Sequence, residues 1–151
     1  MPGRVLSRQE REDLEPVNLV ADDWNDVAPG RWTPAHLALI KAAAQQKRVE
    51  RIFVNPAIKK ALCREAGTDR AWLARVRPLY GHNYHMHIRL ACPAGEENCA
   101  PQAPPPGGDG CGAELAWWFT DEARNPKPVK PAPPMTMAQL PQACRAVLNA
   151  P

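Results

Sequence analysis

The sequence predicts an α+β domain that is loop-rich and unusually rich in cysteine. Three observations carry this. Two helix starts, Thr33-Pro34 and Asn55-Pro56, each place a capping side chain before a proline. Two segments, VERIFVN (49–55) and YHMHIRL (84–90), have the β-branched, aromatic or alternating character of strands. From Cys92 onward, proline and glycine dominate the connecting stretches. At 151 residues and 44% apolar content, the chain suits one domain with a modest core.

The elements follow in order. Ser7-Arg8-Gln9-Glu10 fits a capping box and predicts a short helix from about Arg8 to Leu14. Asp22, Asp23 and Asp26 lie in a stretch that ends at Pro29-Gly30, which reads as a solvated loop, with weak metal coordination as the sharper alternative. The helix opened by Thr33-Pro34 extends to about Gln46, with Leu37, Ile40 and Ala44 inward and His36 in its first turn in a structural role. After the 49–55 strand, the helix opened by Asn55-Pro56 stops at Gly67. Thr68 is placed to cap a third helical piece through Trp72 and Val76, ended by Pro78. In an extended strand from Tyr84 to Leu90, His85, His87 and Arg89 share one face; Met86, Ile88 and Leu90 share the other, predicted to cover the core. AELAWWF (113–119) is an aromatic cluster compatible with helix or strand. NPKPVKPAPP (125–134) predicts an extended polyproline-type linker, and Pro141 to Leu148 a last short helix. The chain therefore divides into a main domain over 1–124, a linker over 125–134 and a helical tail over 135–151 that packs back on the domain.

Charge and hydropathy exclude several classes. The net charge of +3 is scattered among acidic residues, without the concentrated basic face that nucleic acid requires. No stretch approaches the roughly 20 apolar residues of a membrane helix, and the N-terminus is too charged for a secretory signal. PQAPPPGGDGC lacks the GK[ST] ending of a phosphate loop. The five cysteines nevertheless suit an oxidising compartment, and five is odd, so at least one thiol lacks a partner within the chain. Together these signs lead us to expect a protein whose front is missing; five free, buried thiols are the bland alternative.

The densest chemistry is GHNYHMHIRL (81–90), with three of the chain's four histidines within six positions. A His-x-His pair on a strand points two imidazoles into one space, enough for two zinc ligands or for one ligand and one catalytic group. His82, three residues before His85, joins them only if the chain turns near Asn83. Asp109 is a candidate carboxylate, although Gly-Gly-Asp-Gly reads first as a tight turn. Cys92 and Cys99 are too far apart for a zinc-finger pair. The chain alone does not obviously complete a site.

RIFVNPAIKKALC (51–63), DRAWLARVRP (69–78), HNYHMHIRLACP (82–93) and PPGGDGCGAEL (105–115) resemble the penicillin-insensitive murein endopeptidases, in order, from about Trp32 to Cys144. The resemblance implies a periplasmic zinc metallopeptidase that cuts D-alanyl–meso-diaminopimelyl peptide cross-links in peptidoglycan. It implies a core shared with lysostaphin-type peptidases, D-Ala-D-Ala metallopeptidases and the hedgehog signalling domain: a small antiparallel sheet flanked by helices, here an incomplete domain stapled by disulfides. Carried over, His87 is the zinc ligand, His85 the catalytic base or transition-state stabiliser, and His82 a further active-site histidine. Arg89, on the same face, is a candidate to orient His85 or meet substrate carboxylates. The family's other two ligands come from a His-x6-Asp motif absent from these residues; seven positions after His36 stands Ala43. The resemblance pairs Cys63 with Cys111 and Cys92 with Cys99, and gives Cys144 a partner upstream. We therefore expect the 151 residues to be catalytically incomplete. The other readings are a non-catalytic peptidoglycan-binding remnant, a structural zinc module using cysteine thiolates, and an interaction module working through the proline tail. A homodimer is compatible with all of them.

Overall fold

The computed structural model describes residues 4–128 and 130–148. Helix α1 (Arg8–Glu12) is closed by the expected capping box, Ser7 accepting from the Glu10 amide and Glu10 from the Ser7 amide. Helix α2 (Pro34–Ala44) buries Ile40 and Ala44, with Leu37 packed partly against the core. His36 turns back to accept from the Thr33 amide (3.0 Å) and stacks on Trp32, so its role is local capping. Strand β1 (Val49–Val54) then runs through the centre of the molecule and leads directly into α3 (Pro56–Glu65).

The N-terminus of α3 is fixed by Asn55, whose Oδ1 accepts from the Ala57 amide at 3.0 Å, with Pro56 already holding a helical φ. Ala57, Ile58, Ala61 and Leu62 form its buried face, and Gly67, at φ 66°, lets the chain leave it. The expected third helix is only a 3-10 turn, Ala71–Arg75, with Arg70 rather than Thr68 at its N-cap. Val76–Pro78 instead forms β2, parallel to β1 (Ile52 opposite Val76). Val76 is β-branched and fully buried, Pro78 ends the strand, and the crossover that a parallel pair needs is supplied by α3 and the 3-10 turn.

Strand β3 (His87–Leu90) pairs antiparallel with the other edge of β1, giving the order β2-β1-β3. The class is α+β as predicted, but the sheet is mixed rather than wholly antiparallel. Strand β3 is also shorter than the expected 84–90, because the chain turns before His87. Its apolar side departs from expectation as well. Met86 reaches the core, whereas Ile88 and Leu90 remain 44% and 49% exposed, although Ile88 sits opposite the fully buried Ile52. The core formed by α2, α3 and the 3-10 turn lies over β1 and β2 and stops short of the β3 edge.

Two disulfides are present, Cys63–Cys111 and Cys92–Cys99, with Cα separations of 5.7 and 5.6 Å. The first ties the glycine-rich loop to α3; in the chain-entropy account, closing 48 residues contributes about 4 kcal/mol. That loop is also pinned by Asp109, which accepts from the Cys111 amide and pairs with Arg70 at 2.8 Å. The aromatic cluster resolves as helix α4 (Ala113–Trp117), followed by α5 (Asp121–Arg124). The described part of 125–134 has no regular secondary structure and is exposed. A 3-10 turn (Met137–Gln139) and α6 (Gln142–Leu148) follow, with Cys144 exposed and unpaired. Val129 and residues 149–151 lie outside the described residues, as does residue 1–3 of the N-terminus.

Candidate metal centre

The chain turns where a contribution from His82 requires it. Gly81 adopts φ 84°, a conformation open to glycine, and the backbone from His82 to Asn83 is held by long-range bonds. The Asn55 amide donates to the His82 carbonyl (3.0 Å), the Leu19 amide to the Asn83 carbonyl (2.9 Å), and Asn83 Nδ2 to Asn18 Oδ1 (2.9 Å). The turn swings the His82 ring to 4.5 Å from that of His87 and 5.0 Å from that of His85; His85 and His87 are 5.1 Å apart. Each imidazole offers one ring nitrogen, and these three atoms lie within 4.8 Å of one another.

Burial differs among the three. His82 is buried, while His85 and His87 are exposed. His82 Nδ1 lies 2.9 Å from the Tyr80 carbonyl, which can only accept, so Nδ1 carries a proton and Nε2 is the free atom. That Nε2 is buried without a hydrogen-bond partner, a condition that costs on the order of 1–3 kcal/mol. An imidazole whose far nitrogen is anchored to a backbone carbonyl while its near nitrogen awaits a partner has the arrangement of a metal-bound histidine. Three imidazole nitrogens at this spacing suit a borderline cation such as zinc. The residues fit a metal.

The surroundings set two sides to the cluster. On the His85 side lies a largely apolar cavity of about 390 Å³, walled by Leu39, Ile40, Tyr84 and Met86. On the His87 side, the sheet presents Phe53 opposite His87 and Arg51 opposite Arg89. Arg89 donates to the Ala100 carbonyl (2.6 Å), so it braces the Cys92–Cys99 loop instead of touching His85.

The other sequence candidates stay apart from the cluster. The Asp109 carboxylate is held below the ordinary range by its hydrogen bonds with Arg70 and the Cys111 amide, and it organises the loop. Asp26 pairs with Arg64 (2.9 Å) and Lys60 (3.6 Å), joining the 20–28 segment to α3. Among the described residues, no carboxylate or thiol joins the three histidines. Sequence reasoning missed two contributors. Asn55, a helix cap by its sequence signature, also anchors the His82 turn through its backbone amide; its signal is its place between strand and helix. Tyr80, which fixes the His82 ring through its carbonyl, left no signal, since any residue has one.

Comparison with known proteins bears on this site. The family model described as Penicillin-insensitive murein endopeptidase matches residues 1–149. The chain is 49% identical over 149 residues to a penicillin-insensitive murein endopeptidase of Yersinia enterocolitica, an alignment covering 99% of this chain and 53% of that protein. It is 52% identical over 134 residues to the proteins of that name from Klebsiella pneumoniae and Escherichia coli, covering 88% of this chain and 47% of each. The chain thus spans about half the length of the curated relatives it matches.

Proposed function

The chain belongs to the penicillin-insensitive murein endopeptidase family, and from that membership we propose a zinc-dependent endopeptidase acting on D-alanyl–meso-diaminopimelyl cross-links of peptidoglycan in the periplasm. The observation that carries the metal part of this reading is the orphaned, buried Nε2 of His82 facing two further imidazoles. His87, projecting from a strand paired on one side, is the metal ligand. His85, between the metal cluster and the apolar cavity, moves the proton or stabilises charge at the scissile amide. His82 is a further active-site histidine: its ring is fixed by the Tyr80 carbonyl and its free Nε2 faces the same space, where it adds a second ligand to a zinc held by these 151 residues alone. Zinc, when bound, supplies Lewis acidity towards a peptide carbonyl and an attacking water. In this reading residues 1–124 carry the site, 125–134 are a linker and 135–151 a helical tail.

These 151 residues contain no His-x6-Asp, and we predict that on their own they release no peptides from murein. The same observation favours a second reading, a peptidoglycan-binding module without catalysis. A structural zinc module has less support, because four of the five cysteines are consumed in disulfides.

The experiment uses two proteins. In the 151-residue chain, competition with a chromophoric chelator should show one weakly held zinc, lost in both His87→Ala and His82→Ala. In a family member of full relative length, His87→Ala placed at the matching position should abolish zinc retention and cross-link cleavage together. Cleavage retained by that variant would sink the assignment, and sacculus binding without cleavage by the longer wild-type protein would select the second reading.

A further inference from the structure

We propose that Trp24, Tyr80 and Arg124 form a binding site for the glycan strand of murein, alongside the histidine cluster; the choice of ligand rests on the function proposed above.

The first observation is backbone strain. Trp24 has φ 59°, in the left-handed region that bulky side chains avoid. The indole is only partly buried in return, for Trp24 remains 43% exposed. Its turn is nevertheless firmly held. The Trp24 amide donates to the Ala21 carbonyl (2.9 Å), and Asp23 Oδ1 accepts from the Asn25 amide (3.0 Å). Arg124 Nη2 donates to Asn25 Oδ1 (2.6 Å) from α5, and Lys60 Nζ to the Asn25 carbonyl (2.9 Å) from α3. Two separate helices therefore clamp a turn whose effect is to hold an indole at the surface. Strain of this kind, maintained by surrounding structure around a ring left largely at the surface, points to a surface that has work to do.

The second observation is what lies beside the indole. Trp24, Tyr80, Asp23 and Arg124 line a cavity of about 260 Å³. Two aromatic rings give rigid, amphipathic contact area at little entropic cost, while a carboxylate and a guanidinium at the rim supply an acceptor and donors. This is the complement of a pyranose, which has an apolar C–H face and a belt of hydroxyl and acetamide groups. The Tyr80 ring is itself fixed edge-on against Trp118 (5.2 Å), with its hydroxyl donating to the Trp118 carbonyl.

The third observation is position. The residue that walls this cavity is the one whose carbonyl holds His82 Nδ1, and two residues of chain span at most roughly 7 Å. In murein every cross-link hangs from a glycan strand by a short peptide, and about four extended residues reach roughly 13 Å. A cross-link engaged at the histidines therefore brings glycan into the range of this cavity.

The test measures binding of the 151-residue chain to murein glycan stripped of its stem peptides by an amidase, followed by tryptophan fluorescence and by co-sedimentation. Wild type should bind, and Trp24→Ala should weaken binding at least tenfold. Trp24→Gly should lose binding to the same degree while raising the melting temperature, because glycine accepts the left-handed backbone; a tryptophan with a merely structural role would lose both together. His87→Ala should bind stripped glycan as wild type does, so failure of the metal assignment would leave this result intact. The proposal is overturned if wild type ignores stripped glycan, if it binds only peptide-bearing fragments, or if Trp24→Gly binds undiminished.

Discussion

Lys59 shows how much a single side chain can depend on its setting. It is fully buried, and its Nζ donates to the carbonyls of Leu73 (2.8 Å) and Asp109 (2.7 Å). Burial, with the Arg77 charge nearby, pushes its pKa down from 10.5 to about 7. A neutral amine keeps two N–H donors, so both carbonyls stay satisfied after the proton leaves. Between about pH 7 and 10.5 the unfolded chain then binds a proton that the folded chain does not, and stability rises with pH across that window. Below pH 7 both states are charged and the folded state carries the full desolvation cost. Urea unfolding at pH 7 and pH 9 should show wild type gaining about 2 kcal/mol relative to Lys59→Met; parallel pH profiles would mean that Lys59 stays protonated. Nothing in AIKKALC marks Lys59 for burial, since Lys60, its neighbour, is exposed. The His82 orientation was equally hidden, because the turn that produces it is held by Asn55, Asn18 and Leu19, all remote in sequence.

Among the elements, β1 and the two capped helices were legible because their signals are local: a capping side chain, a proline at the first turn, a β-branched run. The short strand β2 was not, since three residues ending in proline look like a helix stop until a partner strand is present. Asn55 joins these elements to the site. Its side chain caps α3 and its Nδ2 reaches the Gly81 carbonyl at 3.4 Å, while its amide holds His82. Replacing it by alanine removes the cap and leaves the buried Ala57 amide unpaired, a loss of about 2 kcal/mol. The melting temperature should fall by roughly 4–8 °C. Asn55→Asp keeps the cap oxygen and should recover most of that loss. Asn55→Ala keeps the backbone bond to His82 but loses the Nδ2 bond to the Gly81 carbonyl, which loosens the turn, so zinc affinity should drop in the same variant. An unchanged zinc affinity would show that the histidine turn holds itself.

At the scale of the whole molecule, the sheet ends in β3, whose outer edge has no partner strand among the described residues. Alternation in MHIRL assigns the histidines to one face and the apolar residues to the other. It could not say whether anything covers the apolar side, because period-2 patterning fixes direction and not neighbours. Ile88 and Leu90 are about half exposed on a strand whose free amides and carbonyls can template another strand. Lysine is the usual residue for blunting such an edge, and here the exposed positions are His87, Ile88 and Leu90 instead. The 151-residue chain should therefore self-associate as its concentration rises, by edge-to-edge pairing of β3. Sedimentation velocity across a concentration series should show the shift for wild type and its suppression in Leu90→Lys, with the melting temperature little changed because Leu90 contributes little to the core. If wild type stays monomeric throughout, the loop braced by Arg89 already shields the edge, and the exposed pair contributes nothing to assembly.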